Sequence, residues 1–302
     1  MQTGLLVPST EIERETGFGN DQLRKWRQRY GFPLLSTSPD CAAGYSFETV
    51  GQLLAIKRFL EGGYRPSQVV GKSPMELACL RQALADCVPD PGLSESTLKL
   101  IEMVKQSNVS GLRALLANAR ATGTLTEFVL NTIVPLLKGL NTDWPRMEIE
   151  VYREHLCTSV IERCLHAEIL SCKPKRGYPT ILFAAVAGER HMLGLLMAEA
   201  ALADQGANTI SMGSHAPFND VKLGVAACDA DVIALSFSIA FAARRVRPAL
   251  LRLRRLLPDH VEIWAGGAAS AVVMRPPKGV RIFSEIQEPF GALRELSGRK
   301  RG

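Results

Sequence analysis

From residue 180 onward, short apolar runs alternate with longer stretches whose apolar residues recur every three or four positions. The first run, Ile181-Leu182-Phe183-Ala184-Ala185-Val186-Ala187, is apolar at every position and stops at Gly188. A run of that length has the signature of a strand buried on both faces, which is how strands of a parallel sheet read. The same punctuation predicts strands over 180–186, 208–212, 231–237 and 261–265, with a short last strand at Arg281-Ile282-Phe283. Helices are predicted over 192–205, 218–228 and 242–257. Strand–helix alternation implies a parallel, doubly wound sheet, because parallel neighbours need a crossover between them.

In such a Rossmann-like α/β domain, ligands bind beyond the carboxyl ends of the strands. Small residues gather there: Gly188, Gly213-Ser214, Ser236 and Ser238, and Gly266-Gly267. His191 follows the first strand, and Gly194 comes three residues later. Imidazole is a good transition-metal ligand, and a glycine lets the backbone pass close to a bulky group. A histidine at a strand end is also commonly just a polar surface residue, so this stretch alone leaves both readings open. No Gly-rich nucleotide fingerprint follows the first strand and no P-loop is present.

With 302 residues, the chain has room for two or three domains. Its 46% hydrophobic and 22% charged content is that of a soluble globular protein. No apolar stretch reaches the length of a transmembrane helix, and the first residues lack the pattern of a signal peptide. Seven cysteines are scattered with no CxxC pair, which fits reduced thiols in the cytoplasm. The net charge of +6 is uneven: residues 1–90 carry ten basic and ten acidic side chains, and residues 171–302 carry eighteen and eleven. Local clustering must therefore mark any nucleic-acid surface.

One cluster lies near the start. Helices are predicted on either side of Gly17-Phe18-Gly19-Asn20. In the second, Leu23, Trp26 and Tyr30 share a face, while Arg24, Lys25 and Arg27, with Arg29 beside them, occupy the rest. Two short helices with a Gly-containing turn suggest a helix-turn-helix whose second helix enters the major groove. Residues 94–170 read as a bundle of three or four helices, bounded by linkers at 87–92 and 173–179. Its last helix carries Glu154, His155, Thr158 and Glu162, more polar groups than a core needs.

These residues carry a resemblance. Leu23-Arg24-Lys25-Trp26-Arg27-Gln28-Arg29-Tyr30-Gly31-Phe32-Pro33, then Ala43-Gly44-Tyr45-Ser46 and the helix from Val50 to Leu60, look like the recognition helix, wing and following helix of MerR-type transcription regulators. Glu189-Arg190-His191-Met192-Leu193-Gly194 resembles the Glu-x-His-x-x-Gly form of the cobalamin-binding signature shared by B12-dependent enzymes and B12-sensing regulators. Trp144 followed, after nine residues, by Glu154-His155 resembles the helical cap of CarH-type light-sensing B12 repressors.

The resemblance implies three domains: a MerR-like winged helix-turn-helix at 1–75, a helical cobalamin cap at 93–172, and a doubly wound cobalamin-binding domain at 178–302. It implies a non-enzymatic DNA-binding regulator that carries adenosylcobalamin or methylcobalamin, with a response to light as an open option. His191 would be the lower cobalt ligand, oriented by Glu189 or Asp220, and Gly194, Ser236, Ser238, Gly266 and Gly267 would hold the nucleotide tail. Trp144, Glu154 and His155 would stand over the upper face. Arg24, Lys25, Arg27, Arg29 and Tyr45 would contact a double-stranded promoter or operator, read by a dimer or tetramer with no membrane partner.

Two departures stand out. Ser46 replaces the arginine expected in the wing, which is also two or three residues short. Pro145 replaces the histidine that follows the cap tryptophan in the light sensors, so upper ligation by that route is impossible; either His155 or His166 substitutes, or B12 is sensed without that photochemical endpoint. Two other readings remain: a regulator whose corrin-like domain is an empty protein-binding platform, and a corrinoid methyl carrier. The methyl carrier gives no role to the basic helix.

Overall fold

The computed structural model describes residues 6–38, 41–61, 63–87, 92–143, 151–189, 191–238 and 241–301. The chain divides into two compact units, 1–87 and 88–302.

The first unit begins with β1 (Val7–Pro8), α1 (Ser9–Thr16) and α2 (Asn20–Tyr30). Gly17 adopts φ +75° and closes α1 with a bond from its N–H to the Glu13 carbonyl, a left-handed cap that suits glycine. Thr16 is buried and its hydroxyl donates to the Ile12 carbonyl. Leu23 and Trp26 turn inward from α2, and Trp26 meets Phe18 edge to face. β2 (Ser36–Ser38) and β3 (Cys41–Tyr45) complete an antiparallel sheet of order β1-β3-β2, with an irregular register between Ser36 and Ser38. α3 (Phe47–Glu61), α4 (Pro66–Val69) and α5 (Pro74–Cys87) follow. The Ser46 hydroxyl accepts from the Thr49 N–H at the start of α3. It serves as a helix cap where the resemblance leads one to expect a phosphate-binding arginine.

The second unit opens with α6 (Glu95–Lys105), α7 (Val109–Arg120), α8 (Leu125–Phe128), α9 (Val134–Asp143) and α10 (Val151–Ser171). Ser94, Asn108 and Thr124 cap α6, α7 and α8 through their side chains. A π-helical turn, Val129–Ile133, joins α8 to α9 just before Pro135. A proline ring would collide with the carbonyl four residues back in a regular helix, and the wider turn relieves that collision. Gly139 lets α9 lie against α6, since a Cβ there would come within 2.6 Å of Ile101.

The α/β part consists of β4 (Thr180–Ala184), α11 (Leu193–Gln205), β5 (Asn208–Ser211), α12 (Phe218–Ala227), β6 (Val232–Ser236), α13 (Ala243–Leu256), β7 (Glu262–Gly266), β8 (Val280–Ile282) and α14 (Pro289–Arg301). All strand pairs are parallel, in the order β5-β4-β6-β7-β8. The period-two rule sorts the sheet's faces. Ile181, Phe183, Val232, Ala234 and Trp264 pack with α11 and α14, whereas Leu182, Ala184, Ile233, Leu235 and Ile263 pack with α12 and α13.

α11 belongs to two cores. Leu195 and Leu202 face the sheet, while Leu196 and Ala200 join the apolar core of the bundle. A helix buried on both sides needs apolar residues all round, and Leu193-Gly194-Leu195-Leu196-Met197-Ala198 supplies them. Lys175 N–H bonds to the Gly206 carbonyl, and Thr126 bonds to Asp204, so the segment after α10 and the start of α8 are both fastened to the C-terminal end of α11. The Arg120–Glu168 pair holds the ends of α7 and α10 together. α10 and α11 therefore run in the same sense, and Glu154 and His155 stand at the same end of the pair as His191.

Glu199 is the charged group inside this packing: it lies on α11 with 6% of its surface exposed. Burial pushes its carboxyl up to about 7, against the smaller opposing effect of a hydrogen bond with Thr209. A pKa raised on folding contributes stability at low pH that is lost as pH rises from the ordinary carboxylate range through about 7. Glu199→Gln should therefore stabilise the protein by ~1–3 kcal/mol at about pH 8 and by little at about pH 5; thermal melts at the two pH values measure this. Gly267 has φ +89°, and a Cβ there would lie 2.4 Å from the Phe237 carbonyl oxygen. Gly267→Ala should cost ~2–4 kcal/mol in denaturant unfolding.

Candidate functional site

In the strand order β5-β4-β6-β7-β8, the connection after β4 runs outward to β5 on one side and the connection after β6 runs to β7 on the other. A crevice opens where neighbouring loops diverge. Glu189 follows β4, Ser238 follows β6, and the two meet in that crevice.

The local chain explains how Glu189 arrives there. A turn closes from the Glu189 N–H to the Val186 carbonyl, with Gly188 at φ +98°; glycine suits that position of such a turn. The carboxylate is 1% exposed. Its Oε1 accepts from the His191 backbone N–H at 2.7 Å and the Ser238 hydroxyl at 3.0 Å. Its Oε2 accepts from the Ser238 N–H at 2.7 Å. His191 Nδ1 lies 3.1 Å from Oε1 and 3.0 Å from the Ser238 oxygen. Burial alone pushes the carboxyl pKa up, but the hydrogen bonds from His191 and Ser238 together outweigh it and hold the group at about 2.

An ionised carboxylate beside Nδ1 places the imidazole proton on that nitrogen, and the neutral ring then carries its lone pair on Nε2. The His191 side chain is 54% exposed. The sequence left Glu189 and Asp220 both open as orienting groups; the contact is made by Glu189, while Asp220 lies exposed on α12. Ser238 does not line the neighbouring cavity but completes the carboxylate's hydrogen bonding.

That cavity, of about 170 Å³, extends between α11, the ends of β6 and β7, and the segment after β8. Gly194, Ser236, Gly266 and Gly267 all line it. A Cβ at Gly194 would come no closer than 3.5 Å to the Ser236 hydroxyl, and one at Gly266 would be 3.5 Å from the Phe283 carbonyl. Protein packing does not demand glycine at either position, so the space they leave is a cradle. Gly267 is different, because its own backbone contact with Phe237 requires it. The sequence reading missed Phe283, Ser284, Glu285 and Ile286, which close the far side. They follow a three-residue strand whose pattern is too short to locate the turn after it.

Glu154 and His155 are exposed on the first turns of α10. Trp144 lies outside the described residues. In the first unit Arg24, Lys25 and Arg29 are exposed on α2. Arg27 and Tyr45 differ from the expectation that both face DNA. Tyr45 is 2% exposed, and its hydroxyl accepts from Arg27 Nη2 at 2.9 Å, while Arg27 Nε donates to the Pro33 carbonyl. Their polar groups fasten α2 to β3. Among the described residues, no group of three or more histidine, cysteine or acidic side chains is placed to hold a metal ion, and no helix is long and apolar enough to cross a membrane.

Replacing Glu189 with glutamine would set an amide NH2 against donors already pointing at it. Glu189→Gln should cost ~2–4 kcal/mol in denaturant unfolding. The wild-type contribution is present above the ordinary carboxylate pKa and is lost as pH falls from there through about 2.

No protein-family model matches the chain. It is similar to the HTH-type transcriptional repressor CarH of Myxococcus xanthus, 25% identical over 257 residues that cover 82% of this chain and 84% of the repressor. It is likewise similar to the HTH-type transcriptional repressor CarA of Myxococcus xanthus, 25% identical over 264 residues that cover 85% of each. A monomethylamine corrinoid protein from Methanosarcina barkeri superposes with a TM-score of 0.50 at 16% identity, covering 65% of this chain and 96% of that one. The chain thus resembles transcriptional repressors along most of its length, and about two-thirds of it shares the fold of a corrinoid protein.

Proposed function

We propose that this chain is a DNA-binding transcription regulator whose second unit binds adenosylcobalamin or methylcobalamin and responds to light. One observation carries the cofactor part: a histidine oriented by a buried carboxylate stands at the sheet's switch point beside a cavity lined by Gly194, Ser236, Gly266 and Gly267. A lone imidazole suits a metal that brings its other ligands with it, as cobalt does in a corrin. His191 would hold the metal, and Glu189 and Ser238 would fix the ring and its tautomer, the usual support for a ligating histidine. The cavity would take the nucleotide tail. Trp144, Glu154 and His155 would cover the opposite face.

When bound, an alkylcobalamin supplies a cobalt–carbon bond that light breaks. Pro145 offers no side chain to the metal. Of the other histidines on the cap, His155 and His166 are both exposed on α10.

On the DNA side, Arg24, Lys25 and Arg29 would face the groove, with Gln28 on the same exposed stripe. Arg27 and Tyr45 would position that helix. Two or four copies would present the recognition helices to the halves of an operator. A corrinoid methyl-carrier role would account for the second unit but leaves the basic face of α2 without a purpose.

The test is purification in darkness with adenosylcobalamin, followed by visible spectroscopy and gel retardation with the chain's own promoter region. The wild type should retain the chromophore, and His191→Ala should lose it or bind at least ~10-fold more weakly. Illumination should alter retardation of the DNA. Equal chromophore retention by wild type and variant would overturn the ligand assignment, and retardation unchanged by light would remove the photoreceptor part.

A further inference from the structure

α13 lies on the face of the sheet opposite α11 and carries the largest net positive charge of any helix among the described residues. Ala243–Leu256 contains six arginines and no acidic residue. Arg254 is spent internally, donating to the carbonyls of Val261, Leu257 and Pro258. Arg244, Arg245, Arg247, Arg252 and Arg255 are exposed, and among the described residues none of the five has an ion-pair partner. From Arg244 to Arg255 the comb runs roughly 16 Å along the helix. Arg252 is braced over the Phe218 ring at 4.7 Å. α12, packed against α13, adds Lys222 and a single carboxylate, Asp220.

A merely solvating face would not take this form. Arg244 and Arg245 sit in the first turn, where positive charge opposes the helix dipole. Arg244 with Arg247, and Arg252 with Arg255, are like charges three residues apart, which destabilise a helix. An anionic partner relieves both costs. Arginine in place of lysine throughout favours two-point recognition of phosphate. Val246, Ala249, Leu250 and Leu253 are buried against the sheet, and Leu251 and Leu256 are half-buried among the arginines, so the helix has no exposed stripe of large apolar side chains to enter a bilayer, as an interfacial helix requires.

We infer that the exposed arginine face of α13 is a nucleic-acid surface in the second unit, separate from α2, that grips the phosphate backbone without reading sequence. Contacts of this kind act through counterion release, so they set the salt dependence of binding. Arg245 borders Gly188 in the candidate site, so the test variant leaves it in place. Full-length wild type, the variant carrying Arg244→Gln, Arg247→Gln, Arg252→Gln and Arg255→Gln, and the variant carrying Arg24→Gln and Lys25→Gln are titrated with a mixed-sequence DNA duplex across a salt series. Fluorescence anisotropy reads affinity, and a melting curve checks that each variant is folded.

The α13 variant should bind at least ~10-fold more weakly at low salt, with the slope of log K against log salt shallower by about 2 to 4. The α2 variant should keep the part of the slope that α13 supplies. A slope within about 1 of wild type in the folded α13 variant would overturn the inference, as would failure of the wild type to bind the duplex at all. Loss of binding to phosphatidylserine vesicles with duplex binding intact would overturn it in favour of a membrane surface.

Discussion

A carboxylate kept ionised inside the protein governs the geometry of the site. Glu189 is surrounded by donors from its own turn and from the strand end across the crevice. Burying such a charge is costly unless hydrogen bonds replace water. Here those bonds also fix the separation of the β4 and β6 loops and the angle of the His191 ring. Stability and orientation are the same set of contacts. The architecture supplies the place, because the strand order puts the end of β4 beside the end of β6 with their crossovers diverging. The cavity beneath is then bounded by the sheet on one side and α11 on the other.

Much of the α/β part was legible because each apolar run served one physical purpose. The four longer strands begin and end within two residues of where hydrophobic pattern and glycine punctuation put them, although β4 stops at Ala184 and only an isolated bridge at Val186 continues it. α14 was not foreseen. Gly291, Gly298 and its basic end mask the stripe formed by Ala292, Leu293 and Ser297, which the structure buries. The π-helical turn was also invisible, since Pro135 signals a disturbed helix without saying how the chain absorbs it.

The side chains divide in the same way. His191, Gly194, Ser236 and Gly266 could be singled out because a strand end imposes their neighbourhood. Whether Glu189 or Asp220 would reach the imidazole depended on a turn and a helix whose relative position no local pattern fixes. On α2 every basic residue looks alike in sequence. Only the packed unit separates Arg27, drawn to Pro33 and Tyr45, from Arg24, Lys25 and Arg29, which stay in water. Ser46 presents the same lesson: a missing wing arginine is, in the fold, a helix cap.

α11 leaves neither of the two cores complete without the other. Its Leu196 and Ala200 finish the bundle, and its Leu195 and Leu202 finish the sheet. Removing it would expose apolar surface in both layers at once, which couples their unfolding. Whatever free energy a molecule gains by occupying the strand ends is then shared by helices that never touch it.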